Sequence, residues 1–133
     1  MECGEYNDEV YRPPPRSALQ DILEVPVPIG DAGLHRYFVR VSFYHNMVVD
    51  FSVQQEYRKG PSPDGWVPIH RIDSSHGEIH RHYFTSSRGE VRRVTIERIP
   101  PKKSWEMVDR SYGEAIDDIT EYSDERFRRW RDE

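Results

Sequence analysis

Four of the chain's six histidines fall within thirteen residues: His70, His76, His80 and His82. Read as an extended strand, residues 76–85 place His76, Glu78, His80 and His82 on one face, because side chains alternate along a strand. Ile79 and Tyr83 then point toward a core. A two-residue turn at Ser74-Ser75 sets Asp73 opposite His76, Arg71 opposite Glu78 and Ile69 opposite His80. The following strand sets Arg93 opposite His82 and Thr95 opposite His80. A three-residue turn brings His70 to that face in place of Arg71 and Asp73, and the three histidines and Glu78 stay together either way.

Two chemistries suit such a face. Imidazole, with an ordinary pKa of about 6.5, donates and accepts protons near neutrality. His80 and His82, with His76, can therefore act as base on a ribose 2′-hydroxyl and as acid on the leaving oxygen. Asp73 would orient a ring, and Arg71, Arg81 and Arg93 would bind phosphate and stabilise charge without a metal. Alternatively, His76, Glu78, His80 and His82 form a His/carboxylate set for a divalent transition metal. The plainer alternative is a polar strand whose His and Arg serve packing and solubility. His35 and His45 lie at strand ends and read as structural, and Tyr57 and Trp66 as core or rim aromatics rather than base-stacking groups.

These residues need a sheet. Period-two alternation covers Tyr37, Val39, Val41 and Phe43, then Met47 to Tyr57, with a three-residue His45-Asn46-Met47 loop expected to pair Phe43 with Val49 and Val41 with Phe51. Lys59–Gly65 is turn-rich. A third strand runs from about Trp66 to Asp73, with Pro68 marking an edge or a bulge. The fourth is His76–Thr85 and, after Ser86-Ser87-Arg88-Gly89, the fifth is Glu90–Ile99. Ser17-Ala-Leu-Gln20 reads as a capping box opening a short helix that buries Leu19, Ile22 and Leu23 and stops at Pro26 and Pro28. Past Pro100-Pro101, Ser104, Ser111-Tyr-Gly-Glu114 and Ser123 are helix starts, with Val108, Tyr112, Ile116 and Ile119 at helical spacing. The expected class is α+β: an antiparallel meander of about five strands, C-terminal helices on one face and a short N-terminal helix.

At 133 residues the chain has room for one domain, expected over 17–133, after an acidic, flexible, Pro-rich segment 1–16. The net charge of −5 is uneven: residues 1–33 carry −5, residues 34–103 carry +5 and residues 104–133 carry −5. All the histidines lie in the basic middle. That balance argues against a bulk nucleic-acid binder but leaves a local basic face able to hold phosphate. The acidic stretch 104–125 suggests a third function, a non-catalytic domain that docks a protein partner through its helices. One cysteine, Cys3, excludes an internal disulfide framework. No apolar run approaches the roughly 18 residues of a membrane span, and Met1-Glu2-Cys3-Gly4 opens no signal peptide, so no membrane partner and a cytoplasmic location are expected.

The steps Arg71-Ile72-Asp73, Gly77, His80-Arg81-His82 and Phe84 resemble the small toxins of bacterial toxin–antitoxin modules of the TumE type. The resemblance covers about 15 of the 133 residues. It implies a cytosolic protein acting on RNA, paired with a cognate antitoxin and working without a cofactor, with Asp73, His80 and His82 as its site residues and Arg71 beside them. The family pattern carries an amide residue where Ser74 follows Asp73, and its spacing from the Asp to the His pair is about one residue longer. Sixteen Arg against three Lys point to a high-GC bacterial origin.

Overall fold

The computed structural model describes residues 10–61, 65–102 and 104–133. Cys3, most of the N-terminal acidic segment and the tip of the Lys59–Gly65 loop lie outside them. Six strands follow one another in space as in sequence, β1 (Asp21–Ile29), β2 (His35–Tyr44), β3 (Met47–Arg58), β4 (Trp66–Ser75), β5 (Glu78–Thr85) and β6 (Gly89–Arg98), each pair antiparallel. Helices α1 (Trp105–Glu121) and α2 (Ser123–Asp132) pack on one face. Among the described residues no helix is long and apolar enough to cross a membrane.

The class is the expected α+β meander, with one more strand. The N-terminal helix shrinks to a 3-10 turn, Arg16–Ala18, and the residues read as its body form β1. Leu23, Val25 and Val27 carry a period of two that Pro26 and Pro28 obscure. Those prolines are two apart, so their missing N–H groups fall on the same, outward side of an edge strand, where no ladder bond is lost. The segment before it is anchored: Tyr11 is buried and its hydroxyl donates to the Val49 carbonyl at 2.7 Å.

The core lies between the sheet and α1. Val39, Val41, Phe51, Val53, Ile72 and Ile79 meet Val108, Ala115 and Ile119. Burying each of these larger aliphatic side chains contributes roughly 1.5–3 kcal/mol. Ser104 precedes α1 and donates its hydroxyl to the Pro100 carbonyl; the helix then runs unbroken through Gly113, so Ser111 is a buried helical residue rather than a start. The restart at Ser123 opens α2, whose Trp130 and Phe127 close on Tyr57.

Two turns and the bulges near them fix which side chains share a face. His45 and Asn46 both adopt positive φ, making a two-residue turn rather than the expected loop of three. A bulge at Val49 restores parity, so Val41 still faces Phe51 while Phe43 faces Val48. Pro68 sits beside a second bulge, where Gln55 pairs with His70 and Glu56 with Pro68. The β4–β5 turn falls at His76-Gly77 (φ +52° and +77°), two residues later than Ser74-Ser75. Gly77 is required twice over: its φ is left-handed, and a Cβ there would meet a Val10 methyl at 2.8 Å.

Candidate metal and acid–base site

A shift of two residues in the β4–β5 turn keeps every side chain that stays within a strand on its face, because the strand period is two. Asp73 is therefore paired with His80, and Arg71 with His82; across β6, His80 meets Thr95 and His82 meets Arg93. Two lateral rows cross the face of the sheet opposite the helices. One reads Glu24, Arg40, Ser52, Asp73, His80, Thr95, and the other runs Phe38, Gln54, Arg71, His82, Arg93.

Asp73, His80 and His82 converge. One ligand-capable atom from each lies within 4.8 Å of the other two. His80 is 3% exposed and His82 5%, so neither is a solvated surface ring. His82 Nε2 is 3.2 Å from Asp73 Oδ2, and His80 Nδ1 is 3.9 Å from Asp73 Oδ1 and 3.1 Å from the Ser75 hydroxyl. The outer nitrogens each meet a second carboxylate. His80 Nε2 lies 2.8 Å from Glu78 and His82 Nδ1 3.0 Å from Glu90. Thr95 donates to Glu78 at 2.9 Å, and this bond, followed by that from His80, holds the Glu78 carboxyl below its usual range.

Arg71 threads between these acids. Its Nε is 3.0 Å from Asp73, its Nη1 donates to Gln54 at 3.1 Å, and its Nη2 stands 3.3 Å from His82 Nδ1 and 3.8 Å from Glu90. Asp73, Glu78 and Glu90 against Arg71 and the more distant Arg93 leave an excess of carboxylates around the two imidazoles. A bound cation or added protons would offset it.

Several expected site residues are placed elsewhere. His76 leaves the face for the exposed turn. It joins neither the acid–base pair nor the metal set, because His-Gly adopts the left-handed turn more readily than Ser-Ser. Glu78 stays beside His80 as a hydrogen-bond partner of its outer nitrogen. Arg81, the middle residue of His80-Arg81-His82, points to the helix face, where it donates to Asp118 at 3.1 and 3.2 Å and to His70 Nε2 at 2.9 Å. It cannot bind a phosphate at the histidines. Arg71 shares the site, but its guanidinium is held by Asp73 and Gln54. Arg93 faces His82 across β6 and is exposed.

Glu90 and Ser75 complete the cluster without having been singled out from sequence. Ser75, expected in the turn, ends β4. Glu90 has the wrong parity relative to Arg93 until a bulge at Val91 turns it onto the same face, pairing it with Phe84. Beside Asp73 the face is hollowed to about 290 Å³ between Phe38, Arg40, Ser52, Gln54 and Arg71.

Residues 29–133 match the model of a family described as a domain of unknown function, DUF7718. The match spans β2 to β6 and both helices, and so includes every member of the cluster. No curated protein and no solved structure matches the chain.

Proposed function

The chain belongs to the DUF7718 family, a domain of unknown function, and on that premise we propose that Asp73, His80 and His82 bind a divalent transition metal used for hydrolytic chemistry. One observation carries this. Both buried rings aim one nitrogen at a shared carboxylate and rest the other on a separate one, Glu78 or Glu90. That is how metal-bound histidines are oriented, the outer carboxylate fixing tautomer and ring angle and raising ligand basicity. Two imidazoles and one carboxylate suit zinc or ferrous iron. Three protein ligands leave a coordination position open, as in catalytic sites, and a metal there supplies Lewis-acid activation of water. Equilibrium dialysis of untagged protein against zinc and against ferrous iron tests the reading. One equivalent should bind to the wild type and none to a folded His80→Ala/His82→Ala variant. Wild-type protein that retains no stoichiometric metal contradicts it.

The same excess of carboxylates supports a second reading, in which protons take the place of the cation. His80 and His82 would then cleave RNA as acid and base, Asp73 would orient His82, and Arg93 would be the phosphate-binding cation. This is the cytoplasmic bacterial toxin, neutralised by a cognate antitoxin, that the TumE-type resemblance implies. RNA cleavage that survives chelator and vanishes in the His80→Ala/His82→Ala variant would favour it over the metal. Cleavage retained in that variant removes it.

A further inference from the structure

The hollow beside Asp73 has a composition of its own. In the row that contains the cluster, Ser52 separates Arg40 on β2 from Asp73 on β4. Adjacent strands lie roughly 5 Å apart, so Arg40 and Asp73 are rooted roughly 10 Å apart with only a hydroxymethyl group between them. The small side chain of Ser52 forms the floor of the 290 Å³ space. Gln54 and Arg71 close one side of it, and Gln54 already accepts from Arg71 and donates to Glu56.

Arg40, like Arg93 at the far end of this face, differs from Arg71 and Arg36. Arg71 is bound to Asp73, and Arg36 to Glu56 at 2.7 Å with its guanidinium over the Trp66 ring. Arg40 is exposed and, among the described residues, forms no ion pair or hydrogen bond. Two carboxylates face it. Glu24 is its cross-strand neighbour and also lines the hollow. Asp50 feels its charge and lines a second hollow together with Arg40, under Tyr11 and His76, while its carboxylate accepts from the Ser74 hydroxyl at 2.8 Å. A guanidinium not tied into a hydrogen-bonded ion pair beside a walled cavity favours an oxyanion.

We propose that Arg40 is the substrate-anchoring residue of this site: it binds the carboxylate or phosphate of a small anionic molecule whose reacting end lies over Ser52 at Asp73, His80 and His82. The volume suits a ligand of metabolite size. The proposal rests on the metal-binding reading for its reacting end, while the anion contact is separately measurable. On the other side Glu78 and Glu90 stand with Arg93, and the hollow itself opens on the β2–β3 side.

Calorimetric titration of inorganic phosphate, and in a parallel arm of succinate, into zinc-loaded and metal-free protein tests this. Wild type should bind at least one of the two, and Arg40→Gln should weaken that binding about 10-fold or more while leaving zinc affinity and the unfolding midpoint unchanged. Arg40→Lys should recover part of the loss. The arm that responds identifies the anion. Equal anion affinity in wild type and Arg40→Gln, or no binding of either anion to wild type, overturns the proposal. If zinc fails to bind, the metal reading falls. The metal-free titrations then decide the anion site by themselves: an Arg40-dependent affinity upholds it, and its absence removes it.

Discussion

Side chains one position apart on β5 enter opposite electrostatic surroundings. His80 and His82 meet three carboxylates and one arginine on the open face. Arg81, between them, reaches the helix face and meets His70 among cations. There Asp118 accepts from Arg81 and Arg126, and burial, which alone would raise its carboxyl, is outweighed by those bonds, so Asp118 is held below its usual range. His70 is pulled down to about 2, first by burial and then by Arg126 and Arg81, with Arg129 adding and Asp118 opposing. It accepts a hydrogen bond from Arg81 and stays neutral. Histidine surrounded by acids is prepared for a cation. Histidine surrounded by arginines is a fixed acceptor in a packing layer, and the difference comes from neighbours rather than residue type.

The contrast can be broken from either face. Removing the shared carboxylate with Asp73→Ala should lower zinc affinity more than about 100-fold, beyond the 10–100-fold typical of outer partners, with little change in the unfolding midpoint; calorimetry and denaturant titration read the two quantities. On the helix face, His70 yields a pH effect. Its folded value lies far below the ordinary 6.5, so between these values the unfolded chain holds a proton the folded one refuses. Its share of stability is complete above pH 6.5 and falls as the solution is acidified toward pH 2. Each unit costs on the order of 1 kcal/mol, so near pH 4.5 wild type should have lost a few kcal/mol, roughly 2–3, through this group. His70→Gln keeps an acceptor for Arg81 but not the proton site, and its stability–pH curve should flatten by that amount. An unchanged slope would mean that His70 is not the neutral acceptor described here.

Smaller effects sharpen the comparison. Glu78→Gln should weaken zinc binding about 10–100-fold, because the outer nitrogen of His80 loses its anionic partner. Arg93→Gln should alter zinc affinity by no more than about fivefold, as expected for an exposed charge. The same change should strongly reduce RNA cleavage if the acid–base reading holds.

Parity explains what was legible in the sequence. The open-face positions of Asp73, His80 and His82 were readable because an error of two residues at a turn preserves the strand period. The pairs His80–Thr95 and His82–Arg93 held for a different reason: Thr85 pairs with Gly89 rather than Glu90, and the bulge at Val91 restores the expected register. The error at the β4–β5 turn misplaced His76, since two residues separate a strand from its turn. The role expected for Arg81 ignored its odd position between two histidines. Glu90 was not legible, because an unpaired Val91 has no signature in a strand of mixed Arg, Val and Glu. β1 was misread because prolines that end a helix also suit an edge strand.

X-ray absorption at the edge of zinc bound to the wild-type protein addresses the central claim most directly. Two imidazole nitrogens and carboxylate oxygen within roughly 2.0–2.2 Å, with one imidazole lost in a His82→Gln variant, is the predicted result. An all-oxygen shell, or an imidazole count unaffected by that substitution, would contradict a site built by Asp73, His80 and His82.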